Sequence, residues 1–118
     1  MQTLSLQEAT RLAEQTAAVA EGHIPYASGL GAPASFTLAW LLAGAGLADI
    51  RVASGSSGMG DHFWIETAQW RIDPTLRQFP HLNHRPLVAP VSEPGNFAAE
   101  KYHPVPASRE DAVREVSY

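Results

Sequence analysis

The side chains best suited to moving a proton lie near the middle of the chain, in Asp61-His62-Phe63-Trp64-Ile65-Glu66 and in Trp70-Arg71-Ile72-Asp73-Pro74-Thr75. A carboxylate beside an imidazole fixes its tautomer and stabilises the imidazolium, as a general base needs when it takes a proton from a nucleophile. Asp61 to Thr67 and Trp70 to Asp73 are rich in aromatic and β-branched residues and read as a hairpin. Along the first strand His62, Trp64 and Glu66 share one face, and Phe63 and Ile65 the other. A turn of two residues, Ala68 and Gln69, or of four, Thr67 to Trp70, sets Trp64 opposite Asp73. His62 is then the diagonal neighbour of Asp73 on the same face. A three-residue turn moves Asp73 to the opposite face, so the chemistry depends on the register. Taken alone, one His and one Asp on a hairpin are more often a surface imidazole and a strand-ending carboxylate.

The elements that must hold this hairpin are legible around it. Ser5 suits the N-cap of a helix to about Ala20, with an apolar stripe of Leu6, Ala9, Leu12, Ala13, Thr16, Ala17 and Ala20. A loop of small residues and Pro leads to a second helix from about Pro33 to Ala45, with Pro33 in its first turn and Gly44 and Gly46 at its end. That helix is apolar almost all round and is expected in the middle of the domain. Ile50 to Ser54 reads as a strand, and the Gly and Ser residues at 55–60 as a mobile loop over a cleft. A further short strand is expected at Pro86 to Val91, and a short charged helix at Ser108 to Tyr118. The expected fold is therefore α+β: one domain over residues 1–118, with an N-terminal helix and a central buried helix packed on a small, mostly antiparallel sheet.

The hairpin resembles that of the bacterial transglutaminase-like superfamily, a strand reading His-x-Trp-aliphatic-Glu followed by aliphatic-Asp-Pro-Thr and then Gln-Phe. Here the matching residues are His62, Trp64, Ile65, Glu66, Ile72, Asp73, Pro74, Thr75, Gln78 and Phe79. The resemblance extends upstream to the helix on which the family carries its cysteine, matched by Ala34, Ser35, Leu38, Ala39, Leu41, Leu42 and Gly46. Together these segments cover roughly residues 29 to 79. The resemblance implies a transglutaminase-like or papain-like core, with His62 and Asp73 as two members of a Cys-His-Asp triad, and Trp64, Glu66 and Ser35 about the pocket. It implies a hydrolase or acyltransferase ancestry, with a peptide, protein or small-molecule amide or thioester as substrate, and no cofactor.

The thiol is missing. The chain has no cysteine, and counting back from Gly46 through Ser35 and Ala34 puts the nucleophile's position on Gly31, or on Ala32 if the register slips by one. Neither side chain can attack a carbonyl. The natural protein has lost the cysteine and kept the fold, or Gly or Ala replaces it in this sequence, or the pocket does other chemistry. Ser35 is the nearest hydroxyl, about one helical turn beyond the expected nucleophile, and helix packing is its simplest role. These readings leave three functions in play: a cysteine-enzyme relative without its thiol, a non-catalytic binding module using the old cleft, and a cysteine-free acid-base enzyme built on His62 and Asp73.

Composition narrows the partners. A formal net charge of −4 over 118 residues offers no cluster of Lys and Arg to neutralise a run of phosphates, so neither nucleic acid nor an anionic membrane surface is an expected partner. The uncharged run from Ala32 to Ala48 is shorter than the roughly 20 residues of a bilayer span and contains Pro and Gly. With no basic patch leading into an apolar core at the N-terminus, a cytoplasmic location is expected. His81 and His84 have a spacing that puts both on one side of a helical turn, but Pro80 and Pro86 place them in an exposed loop, and no metal is expected. Nothing in the sequence bears on oligomeric state.

Overall fold

The computed structural model describes residues 5–21, 31–47, 49–58, 60–82 and 84–106; for residues 20–21 and 31–33 the description is of the backbone. It is an α+β fold, with two helices on one face of a five-stranded antiparallel sheet. The helix expected at Ser108 to Tyr118 lies outside the described residues.

Helix α1 is Leu6–Glu21. The Ser5 hydroxyl accepts the Glu8 amide at 3.1 Å and donates to the Glu8 carboxylate at 2.9 Å, so Ser5 caps the helix. Ala9, Ala13 and Ala17 are fully buried, whereas Leu6, placed on the same stripe by its spacing, is 50% exposed. Helix α2 is Gly31–Gly44, two residues earlier at its start than Pro33 indicates. It closes on Gly46, whose φ of 94° is a left-handed conformation. The Leu47 amide donates to the Leu42 carbonyl and the Gly46 amide to that of Ala43, the pattern that terminates helices at glycine.

The strands are β1, Arg51–Ser56; β2, Asp61–Glu66; β3, Trp70–Ile72; β4, Val88–Pro90; and β5, Lys101–His103. Their order across the sheet is β4-β3-β2-β1-β5. Pairing sets Val52 against Ile65, Ile65 against Ile72, and Ile72 against Val88. Those four residues join Phe36, Leu38, Ala39 and Leu42 of α2 and the alanines of α1 in one buried core.

Since β4 and β5 are opposite edges, residues 91–100 must cross the whole sheet, and they do so over the face away from the helices. This strap touches the strands in order. Arg71 of β3 donates to the Glu93 and Val91 carbonyls. Phe97 packs against His62 and Trp64 of β2, and the Glu100 amide donates to the Ser54 carbonyl of β1. Of the segment expected to form a mobile loop over a cleft, Gly55 and Ser56 instead complete β1, and the Ser57 amide and hydroxyl both donate to the Gly60 carbonyl, at 3.0 and 2.8 Å, just ahead of β2.

The expectation for α2 needs one correction. It is not enclosed on all sides, because Leu41 is 51% exposed and Trp40 half-buried. The core occupies only one face of the helix. Among the described residues no helix is long and apolar enough to cross a membrane.

Candidate functional site

The β2–β3 hairpin has the register that the chemistry requires. Ile65 pairs with Ile72 and Glu66 with Arg71, so Trp64 stands across from Asp73 and His62 lies diagonal to it. Ala-Gln is a poor turn pair, and Thr67 supplies what it lacks: its hydroxyl accepts the amides of Gln69 and Trp70, at 3.2 and 2.9 Å. The Thr67 amide in turn donates to the Trp70 carbonyl at 2.8 Å, leaving a two-residue turn. A threonine ahead of a turn is a local signal of this kind of closure.

His62 and Asp73 meet there. Nε2 of His62 lies 2.7 Å from Oδ2 of Asp73, and both residues are buried, at 2% and 6% exposure. Since the carboxylate accepts, Nε2 carries the hydrogen and Nδ1 is left as the acceptor. The Gln78 side-chain amide approaches Nδ1 at 3.4 Å and the Thr75 hydroxyl at 3.3 Å. Three rings enclose the imidazole: Trp64 stacked at 5.9 Å, Phe79 edge-on at 4.9 Å and Phe97 tilted at 4.9 Å. Burial pushes the Asp73 carboxyl above its ordinary pKa; the hydrogen bond to His62, the imidazole's charge and the Thr75 backbone amide oppose that shift without cancelling it. Asp73 Oδ1 and Gln78 Oε1 are buried with no hydrogen-bond partner of ordinary geometry among the described residues.

The other sequence-derived candidates are placed as follows. Trp64 is buried, and its indole N–H donates to Glu66 Oε2 at 3.0 Å. Glu66 is a fastening point rather than a pocket wall. It takes the Tyr102 hydroxyl at 3.4 Å and lies 3.6 Å from Arg51 and 4.0 Å from Arg71. Ser35 is fully buried and donates to the Phe63 carbonyl at 3.1 Å, which is the packing role rather than a nucleophile's. Gly31 and Ala32 open α2, one turn before Ser35. Phe63 is the residue that turns to α2, its ring 5.9 Å from Phe36, so alternation turns His62 toward the strap. Among the described residues, the partners of the His62 ring are Asp73, Gln78, Trp64, Phe79 and Phe97, and none is a nucleophile.

Two features were not legible in the sequence. Phe97 caps the imidazole from an irregular Pro-Gly-Asn stretch that has no periodicity to mark it. A second imidazole, His103 of β5, lies 2.9 Å from the Ser54 hydroxyl and between Phe36 and Phe63. It faces the helices, and Ser54 is 3% exposed. His81 and His84 are exposed, and among the described residues no three His, Asp or Glu side chains gather to hold a metal. Compared with protein-family models, curated proteins and solved structures, the chain matches none.

Proposed function

We propose that this chain is a cysteine-less relative of transglutaminase-like and papain-like enzymes that retains the imidazole–carboxylate half of an acyl-transfer site and now works by binding. The observation that supports this reading is the 2.7 Å contact between His62 and Asp73, made at positions that match the family's motif. Asp73 holds Nε2, and the ring presents Nδ1 as the nitrogen that would take a thiol proton. Without a thiol the dyad has nothing to activate. Acid-base chemistry by the pair alone requires the imidazole to meet a substrate proton, and a ring 2% exposed behind Phe97 does not. Binding is the work left to a site of this shape, with a peptide or small molecule as its ligand and the amide or thioester chemistry of the ancestry left behind.

The ancestry is tested by restoring the nucleophile. Gly31→Cys and Ala32→Cys are compared with Ala68→Cys on the exposed β2–β3 turn for their rates of reaction with iodoacetamide. A thiol paired with the imidazole at a helix N-terminus forms thiolate more readily, so one of the first two should label faster, and His62→Ala should remove the difference. Equal rates at all three positions would overturn the reading.

A further inference from the structure

Helix α2 carries no charged side chain along its length, yet the core takes only one of its faces. On the other, Trp40, Leu41, Gly44 and Ala45 recur at the spacing of a single helix face. With Ala43 and Pro106 they line a groove of about 590 Å³. Leu41 is 51% exposed there, and Ala43, Gly44 and Ala45 are exposed with it. Among the described residues the groove stands open, and an apolar surface of this extent marks a place where something docks.

The position of Pro106 decides what docks. It is the last described residue and is itself part of the groove wall, so residues 107–118 leave from the groove's edge and need no reach to enter it. Ser108 stands three residues ahead of Asp111, the spacing of a helix cap, with Glu110 and Asp111 in the first turn. On a helical period Ala112, Val113 and Val116 fall on one side, and Glu110, Asp111, Arg114 and Glu115 on the other. Arg109 falls beside the apolar three, with a stem long enough to carry its charge clear. A helix over 108–118 is about 16 Å long, enough to cover the roughly 8 Å of α2 from Trp40 to Ala45. The stretch at 22–30 also adjoins α2, but it enters at Gly31, roughly 14 Å of helix before Trp40.

We propose that residues 107–118 fold back as an amphipathic helix on the outer face of α2, with Ala112, Val113 and Val116 seated in the groove beside Trp40, Leu41 and Pro106. Nothing in this depends on the dyad or its ancestry. The seated side chains are small and the core beneath α2 is complete without them, so truncating Leu41 can cost no more than the docking itself.

The test uses the full chain, which has no cysteine, so Arg114→Cys accepts a single nitroxide on the face turned away from α2. In NMR spectra of the isotope-labelled chain the nitroxide should broaden the Trp40 indole N–H and the Leu41 methyl signals. The Trp64 indole, on the strap side of the sheet with Phe97, should stay sharp. Val116→Asp in the nitroxide-bearing chain should remove most of the broadening with the Trp64 shift unchanged, because position 116 lies outside the core of the sheet and α2. Glu115→Gln, on the outward face, should preserve it. An isotope-labelled chain without nitroxide, mixed with an unlabelled chain that carries one, should show no broadening at Trp40 or Leu41. A nitroxide that spares both residues, or broadening that survives Val116→Asp, would overturn the proposal. Broadening of equal strength in the mixed sample would overturn it too, by putting a second copy of the chain in the groove.

Discussion

His62 and Asp73, eleven residues apart in the chain, meet at 2.7 Å because a two-residue turn puts them on one diagonal of the β2–β3 hairpin. The contact is sealed by Phe97 and Phe79, and it is the shortest polar contact that His62 makes among the described residues. Removing one member of a buried pair strands the other, at a cost of about 3 to 5 kcal/mol. Asp73→Ala should therefore lose stability on that scale in urea denaturation. Asp73→Asn keeps an acceptor for the Nε2 hydrogen and removes a buried charge, so its loss should be distinctly smaller. Equal losses in the two variants would show that the carboxylate's charge, which Asn also lacks, and not an acceptor for the Nε2 hydrogen, is what matters.

The same burial gives a pH dependence whose sign is fixed. The Asp73 carboxyl is raised above its ordinary pKa, so the folded protein holds that proton more tightly than the unfolded chain. The folded state then binds more protons between the ordinary and the raised value, and stability falls as pH rises through that window. The contribution is fully present below the ordinary Asp range, about pH 4, and is lost above the raised value. Urea midpoints of the parent and Asp73→Asn, measured from neutrality down to about pH 4, should move apart in the parent's favour as the pH falls. A parent that loses ground to Asp73→Asn on acidification would mean that the imidazole's charge outweighs desolvation.

What was legible in the sequence follows from which forces are local. The hairpin was legible from its aromatic and β-branched residues and α1 from its cap and its period, but the hairpin's register was legible only conditionally, on a turn of two or four residues rather than three. Gly46 was readable as the end of α2 because only a left-handed residue closes a helix that way. The exposed face of α2 was not readable, since a helix apolar on every side gives no period to say which face turns to solvent. Strand β5 was missed because three residues ahead of Pro104 carry no alternation; they become a strand only by pairing with β1. The partners of His62 from Gln78 and Phe97 are tertiary contacts, set by the course of the chain between strands.

Adjacent residues of α2 should respond very differently to truncation. Leu42 is 2% exposed in the shared core and Leu41 is 51% exposed. Leu42→Ala should cost about 2 to 5 kcal/mol, the range for emptying a buried leucine site, and Leu41→Ala within about 0.5 kcal/mol. Chemical denaturation of the two variants checks the orientation of the helix on the sheet. Similar losses at both positions would imply that something covers the outer face of α2 in solution.

The strap is held close to the sheet at one glycine, and that closeness controls the cover over the dyad. A Cβ at Gly55 would stand 2.0 Å from the Ala98 carbonyl oxygen and 3.4 Å from the Trp64 ring. Backbone atoms cannot yield as a flexible side chain does, so Gly55→Ala must lift residues 97–100 or shift β1. Overpacking of this kind costs typically about 1 to 3 kcal/mol. Lifting the strap withdraws Phe97 from His62 and Trp64, which lie 4.9 and 6.2 Å from it by ring centroid. Gly55→Ala should therefore lower the urea midpoint, redden the Trp64 emission and speed diethylpyrocarbonate modification of His62, read by peptide mass spectrometry. Because His103 sits on the opposite face with Phe36 and Phe63, its modification rate should change much less, making it an internal control. If His62 and His103 accelerate together, the substitution has loosened the whole sheet and the strap is not the separate cover inferred from its contacts.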